Sequence, residues 1–166
     1  MRRILLMAGM LSVAAYAYQP LWTAGYVYED RRWVAAALTQ PSLWPRPRLL
    51  ATWSWWAAPG PRVGHLVGFG LHLTVAGLVG LLAWRLGLSR LGSAFAAGLM
   101  AFHALGSETI GYLSARTELI AAVGVLSACV LAAGVLRVWT WPAMLLCLAI
   151  GVLGKETAVV GLGLVP

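Results

Sequence analysis

Long apolar runs, separated by short arginine-bearing segments, constrain this chain more than any other feature of its sequence. The clearest run, Val63 to Trp84, holds only apolar residues, glycines, two histidines and one threonine. A helix that crosses a bilayer needs about 20 mostly apolar residues. Because 61% of the residues are hydrophobic and the mean hydropathy is +0.82, we predict an all-α, polytopic transmembrane helical bundle with about five to six spans.

The first apolar run extends from Ile4 to Trp22 and is preceded by two arginines. We interpret it as an uncleaved first helix whose N-terminus is cytoplasmic. The alternative is a secretory signal, because residues 15–17 resemble a cleavage site. Residues 23–62 are rich in proline and tryptophan, and we predict that they form a long external first loop. Within this loop, Leu49 to Ala58 is predicted to be a short helix at the membrane interface, where indole rings prefer to lie.

The rest of the chain alternates between apolar segments and short polar connections. We expect residues 1–166 to form a single transmembrane domain, the N-terminal portion of a larger module. Glycines recur along the apolar segments, as in membrane helices that pack closely together. The predicted spans are Val63–Trp84, Gly92–Leu105, Glu118–Leu136 and Trp139–Leu153; Gly106–Thr117 is predicted to be an external turn, and Thr157–Pro166 the start of another apolar helix.

The charges are distributed unevenly over the two sides of this predicted topology. The chain has a net charge of +7 and only five acidic residues, and all five fall on the external side. The outer side also carries more cations than the inner side, which breaks the positive-inside rule. Either the topology is inverted, or the outer cations are held by carboxylates and external anions. We favour the second interpretation. The acidic residues are Glu29, Asp30, Glu108, Glu118 and Glu156.

The scattered arginines argue against a nucleic-acid partner, because they do not line one polar face. Membrane lipid, or a lipid-linked phosphate, is the anionic partner that we predict. Arg46, Arg48 and Arg62 bracket the tryptophan-rich segment. Arginine binds phosphate bidentately, so these residues can hold a phosphate at the headgroup level. Ordinary attraction to anionic headgroups explains each of them equally well.

The acidic pair Glu29-Asp30 follows the first predicted span and precedes Arg31-Arg32. One interpretation is a solvated loop pair balanced by the arginines. The other is a general base, because a carboxylate beside a dry, cationic cavity can deprotonate a hydroxyl. The spacing alone does not decide between the two interpretations.

A second polar cluster surrounds the predicted turn at Gly106–Thr117. Ionisable groups at membrane depth are costly and are usually paired or functional, so we favour a functional role over simple helix-end pairing. His65 and His72 are seven residues apart and therefore share one helix face. Histidines bonded to backbone carbonyls are the favoured interpretation there, and a divalent metal is the minor alternative. The members of the second cluster are His103, Glu108, Arg116 and Glu118.

The order of these motifs resembles the N-terminal part of GT-C membrane glycosyltransferases. The similar proteins are the tetratricopeptide-associated transmembrane O-mannosyltransferases and their bacterial relatives. Tyr28-Glu29-Asp30 stands at the place of the family's aromatic-x-Asp-Asp motif, and Arg46-Pro47-Arg48-Leu49 is similar to its Arg-Pro-Leu segment. Gly64-His65-Leu66-Val67 and His72 echo its Gly-Phe-His-Leu-Val-Asn…His stretch.

The most specific part of the resemblance lies in residues 101–119. Residues 101–108 are similar to the family's Ala-x-His-Pro-x-His-Thr-Glu, with Ala104 and Gly106 at the places of its Pro and second His. Residues 112–119 are similar to its Trp-Ile-Ser-Gly-Arg-x-Asp-Leu. Lys155-Glu156 matches a Lys-Glu pair that precedes the family's next span.

The resemblance implies transfer of a sugar, such as mannose, from a polyprenyl-phosphate-linked donor to a hydroxyl of a protein or glycan on the external face. Asp30, the favoured residue, or Glu29 would take the proton from that hydroxyl. A bacterial inner-membrane location and a second membrane subunit fit the same scheme. The implied donor-phosphate ligands are Arg116, Lys155 and Arg46, and the supporting residues are His103, Glu108, Glu118 and Glu156; no metal ligand is assigned.

Two other classes of function remain open on the sequence alone. One is a non-catalytic accessory or truncated membrane protein that keeps a scaffold for binding lipid phosphate. The other is a transporter or lipid-binding scaffold whose external carboxylates bind protons or ions.

Overall fold

The computed structural model describes residues 9, 12–27, 30–32, 34, 48–57 and 60–165. All regular structure in this part of the chain is helical, as predicted from the sequence. Residues 12–17 are helical as well and lead into the first of three 3-10 segments. The helices are α1 (Leu49–Ala57), α2 (Pro61–Arg85), α3 (Arg90–Phe102), α4 (Leu105–Gly111), α5 (Arg116–Ala132) and α6 (Thr140–Gly154); the 3-10 segments are Gln19–Thr23, Leu113–Ala115 and Glu156–Gly163.

Within the part of the chain that the structure describes, two helical segments are long and apolar enough to cross a membrane. They are α2, with a mean hydropathy of 2.0, and the segment Leu113–Ala132, with 1.7. Helices α3 and α6 are apolar, but they have only 13 and 15 residues. At 1.5 Å per residue they reach about 20 Å, short of the roughly 30 Å of a hydrocarbon core.

Local sequence signals explain where the hairpin of α2 and α3 begins, turns and continues. Helix α2 begins with Pro61, whose missing N–H costs nothing at that position. It ends at Arg85, and Gly87 follows with a positive φ of 95°, which favours glycine. Helix α3 then begins after Ser89, whose hydroxyl accepts a hydrogen bond from the N–H of Gly92.

Glycines allow the long helices to approach one another closely, as the sequence predicted. Helices α5 and α6 pack together extensively, and a Cβ at Gly124 would lie 2.5 Å from the carbonyl oxygen of Cys147. A Cβ at Gly80 of α2 would lie 2.8 Å from the Cβ of Ala97 in α3. In contrast, a Cβ at Gly77 would meet no atom within 4 Å. Only some of the recurring glycines therefore serve packing within this chain.

The predicted external turn at Gly106–Thr117 is wrong, because α4 and the 3-10 turn Leu113–Ala115 occupy it. Gly106 suggested a turn, but it is needed for close approach. A Cβ there would lie 2.6 Å from the hydroxyl oxygen of Tyr18 and 2.8 Å from His72. The segment Thr157–Pro166, predicted to start another apolar helix, is helical at its beginning, and that helix is the 3-10 helix Glu156–Gly163. The glycines at 161 and 163 weaken α-helical propensity in that stretch.

We expect the Gly124→Ala substitution to lower the free energy of unfolding by about 1–3 kcal/mol, because the new methyl group would overlap backbone atoms of α6. The matched control is Gly77→Ala, which places the same methyl group in open space. The measurement is the midpoint of thermal unfolding for both variants in one detergent. Equal midpoints would contradict the close α5–α6 contact.

Candidate functional site

The carboxylate of Asp30 is fully buried and is held by backbone N–H groups. Its Oδ1 accepts a hydrogen bond from the N–H of Ser114 at 2.7 Å, and its Oδ2 accepts one from the N–H of Leu113 at 3.0 Å. The N–H of Val27 also donates to Oδ2, at 3.3 Å. A negative charge at this position stabilises the start of the helical segment Leu113–Ala132. Asp30 therefore joins the N-terminal part of the chain to the beginning of α5.

The guanidinium of Arg116 is also buried, with 2% of the residue exposed. One terminal nitrogen donates to the carbonyl oxygen of Ser54 at 2.8 Å and to its hydroxyl at 3.3 Å. The other donates to the carbonyl oxygen of Gly64 at 3.0 Å. Asp30 lies near enough for a coulombic attraction to this guanidinium, but the two side chains do not form an ion pair. Arg116 thus ties α1, α2 and α5 together beside Asp30.

His65 connects the same two stretches of backbone as Asp30. Its Nδ1 lies 2.9 Å from the carbonyl oxygen of Ile110, and its Nε2 lies 3.1 Å from that of Ala24. The residue is fully buried, as the backbone-bonded interpretation predicted. We call Asp30, His65 and Arg116 the buried frame. These three side chains hold four segments of the chain around one end of the bundle.

An apolar groove opens beside the buried frame, with a volume of about 540 Å³. Its walls come from the N-terminal segment on one side and from α4 on the other. Ala24 and Val27, two residues that the frame holds by their backbone, form part of the first wall. The groove is lined by Leu21, Ala24, Val27, Ser107, Glu108, Gly111 and Tyr112.

A polar cleft of about 620 Å³ shares part of its wall with the apolar groove. Glu108 and Tyr112 line both cavities, so they mark the boundary between apolar and polar surroundings. Arg48 and Lys155 are the two cations of the cleft. The polar cleft is lined by Arg48, Trp55, Glu108, Thr109, Tyr112, Ser114, Ala115, Thr117, Glu118 and Lys155.

Both cations of the polar cleft are engaged in ion pairs. The guanidinium of Arg48 binds Glu156 bidentately, with nitrogen–oxygen distances of 2.8 and 3.2 Å. The ammonium of Lys155 binds the carboxylate of Glu118. Hydrogen bonds from Arg48, and then from the Glu156 backbone, lower the pKa of Glu156 to about 2. Hydrogen bonding to Glu156 in turn raises the pKa of Arg48.

The four described carboxylates lie at one end of the bundle, together with Arg116 and Lys155. Arg85, Arg90 and Arg137 lie at the ends of helices or in connections at the opposite end. Asp30 and Arg116, which the prediction placed in one site, are therefore close together in the structure. His103 is exposed, follows the last residue of α3 and is not among the residues that line the two cavities. The predicted site residues Glu29 and Arg46 lie outside the described residues.

The residues that line the polar cleft differ in part from the predicted phosphate ligands. Arg116 was expected to bind a donor phosphate, but it is buried and does not line the polar cleft. Arg48, predicted only as one of three arginines that bracket the tryptophan-rich segment, lines the cleft instead. Tyr112 was missed as a site residue, although its spacing of four from Glu108 was a usable signal because such residues share a helix face.

Comparison with protein-family models, with curated proteins and with solved structures returned no match. Within the part of the chain that the structure describes, no group of three or more histidine, cysteine or carboxylate side chains is placed to hold a metal ion.

Replacing Asp30 by alanine should reduce the free energy of unfolding by about 1–3 kcal/mol, because the backbone N–H groups of Val27, Leu113 and Ser114 lose this buried acceptor. The exposed carboxylate of Glu108 supplies the control, and Glu108→Ala should change stability by less than about 0.5 kcal/mol. Denaturant unfolding of both variants in the same detergent gives the comparison. A stable Asp30→Ala protein would rule out the framing role.

Acidification should weaken the contact between Arg48 and Glu156. The pKa of Glu156 is lower in the folded protein than its ordinary value of 4.5. The stabilisation that the ion pair provides is therefore complete above pH 4.5 and is lost as the pH falls towards 2. Because the side chain of Glu156 is half exposed, we expect this ion pair to contribute less than about 1 kcal/mol to the free energy of unfolding. Unfolding midpoints at pH 6 and pH 3 should differ less in Glu156→Gln than in the unaltered protein, and an unchanged difference would contradict the assignment.

Proposed function

We propose that the chain is the N-terminal portion of a GT-C-like membrane glycosyltransferase that acts on the external face. In this proposal a sugar, such as mannose, moves from a polyprenyl-phosphate-linked donor to an acceptor hydroxyl. The observation that carries the proposal is the shared wall between the apolar groove and the polar cleft. A ligand that fits both cavities has an apolar chain joined directly to a polar, charged head.

In this proposal each cavity holds the part of the donor that matches its polarity. The polyprenyl chain lies in the apolar groove, where burial of apolar surface contributes about 25 cal/mol per Å². The phosphate lies in the polar cleft near Arg48 and Lys155, which can supply charge-assisted hydrogen bonds. As the bond between the anomeric carbon and the phosphate oxygen breaks, these cations stabilise the negative charge that develops on the leaving phosphate.

The proton of the acceptor hydroxyl needs a carboxylate base. Asp30 already accepts hydrogen bonds from three backbone N–H groups and is fully buried, so we assign it to the frame. We propose Glu29, its partner in the acidic motif that the resemblance singles out, as the base. The hydroxyl loses its proton to Glu29, its oxygen attacks the anomeric carbon, and the phosphate leaves with the electron pair, so the anomeric configuration inverts.

The proposed setting is a bacterial inner membrane, with five to six crossings and a cytoplasmic N-terminus. The two segments long enough to span support the membrane setting, and the grouping of carboxylates at one end supports one external site. Membrane lipid, a protein or glycan acceptor and a second membrane subunit are the partners in this scheme.

A non-catalytic protein that binds lipid phosphate is the second candidate. The observation that favours it is the pairing of both cleft cations with carboxylates. A site with neutralised cations binds phosphate through exchange of ion-pair partners, which does not require any chemical step.

The deciding experiment uses the full chain in lipid nanodiscs with a radiolabelled polyprenyl-phosphate mannose donor and a hydroxyl-bearing acceptor. We expect Glu29→Gln to lower the transfer rate roughly 10²–10⁴-fold, because the base is lost, with no change in the unfolding midpoint. Arg48→Gln should weaken donor binding. Arg62→Gln, at an exposed arginine outside both cavities, is the matched control.

Transfer by Glu29→Gln at the unaltered rate would eliminate Glu29 as the base. Donor binding without any transfer, in a preparation whose unfolding is cooperative, would favour the non-catalytic candidate. Transfer with Arg48→Gln indistinguishable from the unaltered protein would remove the polar cleft from the proposal.

A further inference from the structure

Glu108 differs from the other described carboxylates because its side chain forms no hydrogen bond or ion pair with another described residue. Asp30 binds backbone N–H groups, Glu118 binds Lys155, and Glu156 binds Arg48. Among the described residues, none forms a hydrogen bond or ion pair with the Glu108 carboxylate. This carboxylate is exposed and lines both the apolar groove and the polar cleft. Its acceptor oxygens are therefore available to a ligand at the boundary between the two cavities.

Tyr112 lies beside Glu108 at the same boundary. The two residues are four positions apart, and the N–H of Tyr112 donates to the carbonyl oxygen of Glu108, which continues the helical geometry of α4. Both side chains line both cavities. An aromatic ring offers a flat apolar surface, and an ionised carboxylate only accepts hydrogen bonds. Together they suit a ring that carries hydroxyl donors around an apolar face.

We propose that Glu108 and Tyr112 form a subsite for the transferred sugar, and that the carboxylate of Glu108 accepts hydrogen bonds from two adjacent hydroxyls of a hexose. This inference rests on the proposed function, because it takes the groove and the cleft as the donor site. Glu108 contributes to sugar recognition, and Arg48 and Lys155 of the cleft contribute to phosphate binding.

The charge of Glu108 excludes a direct role in holding the phosphate, since a carboxylate repels a phosphate oxygen. A neutral sugar attached to that phosphate has only hydroxyl donors and ether oxygens to offer. Two hydroxyls can satisfy both oxygens of one carboxylate without bringing a like charge to it. The place of Glu108 beside the phosphate-binding cations also matches the single bond that separates the sugar from the phosphate in such donors.

The test compares the binding of polyprenyl phosphate with that of polyprenyl-phosphate mannose, using the full chain in nanodiscs. The unaltered protein should prefer the sugar-bearing lipid roughly 10–100-fold, the range for hydrogen bonds to a charged group. Glu108→Ala should bind both lipids equally and should keep the affinity of the unaltered protein for polyprenyl phosphate. Glu108→Gln, which keeps one acceptor oxygen, should retain part of the preference.

A donor whose hexose lacks one of the two hydroxyls provides the second measurement. It should bind the unaltered protein more weakly than the complete donor, and Glu108→Ala should not distinguish the two. Arg62→Gln, at an exposed residue outside both cavities, is the control and should keep the full preference.

The outcomes separate the inference from the proposed function. A Glu108→Ala protein that keeps the full preference for the sugar-bearing lipid overturns the subsite while leaving the donor site intact. An unaltered protein that binds neither lipid overturns the proposed function and the subsite with it. Equal unfolding midpoints for the unaltered protein and both Glu108 variants exclude misfolding as the cause of a lost preference.

Discussion

The structure depends on one buried carboxylate that accepts hydrogen bonds from backbone N–H groups distant in sequence. Asp30 binds Leu113 and Ser114 and thereby holds the N-terminal segment against the start of α5. A charge removed from water is stable only if hydrogen bonds and a counter-charge compensate for its lost hydration. The N–H groups supply the first requirement, and a longer-range coulombic attraction to the guanidinium of Arg116 contributes to the second. Both cavities are built on this arrangement.

The polar and charged side chains at this end of the bundle fall into two groups that differ in burial. The frame residues Asp30, His65 and Arg116 bind backbone atoms and fix the separation of segments, while the more exposed Arg48, Glu108, Glu118 and Lys155 line the polar cleft. Charged side chains at membrane depth are usually taken as functional sites. Here the buried members hold the segments that surround the cavities, and the accessible members line the polar cleft. Charge and sequence position alone do not separate these two roles.

Much of the architecture was predictable, because an apolar run of sufficient length has few alternatives to a helix. The bounds of α1, α2 and α6 agree with the predicted segments to within two or three residues. The helical nature of Leu105–Gly111 was not predictable from its glycines, because their use depends on Tyr18 and His72 elsewhere in the chain. Likewise, the contact of Asp30 with Ser114 joins residues 84 positions apart, so no local pattern encodes it.

The ion pairs of the polar cleft determine how any phosphate can bind there. Arg48 belongs to the segment before α1, whereas Glu156 and Lys155 follow α6, so each pair joins different parts of the chain. An incoming phosphate gains the cations only as Glu156 and Glu118 release them, and the carboxylates are partly exposed and can be rehydrated. The net attraction is therefore a difference between two sets of ion pairs. Because that difference is small for exposed pairs, the proposed function requires affinity for an amphipathic donor to come chiefly from the apolar groove, with orientation and selectivity supplied by the polar cleft.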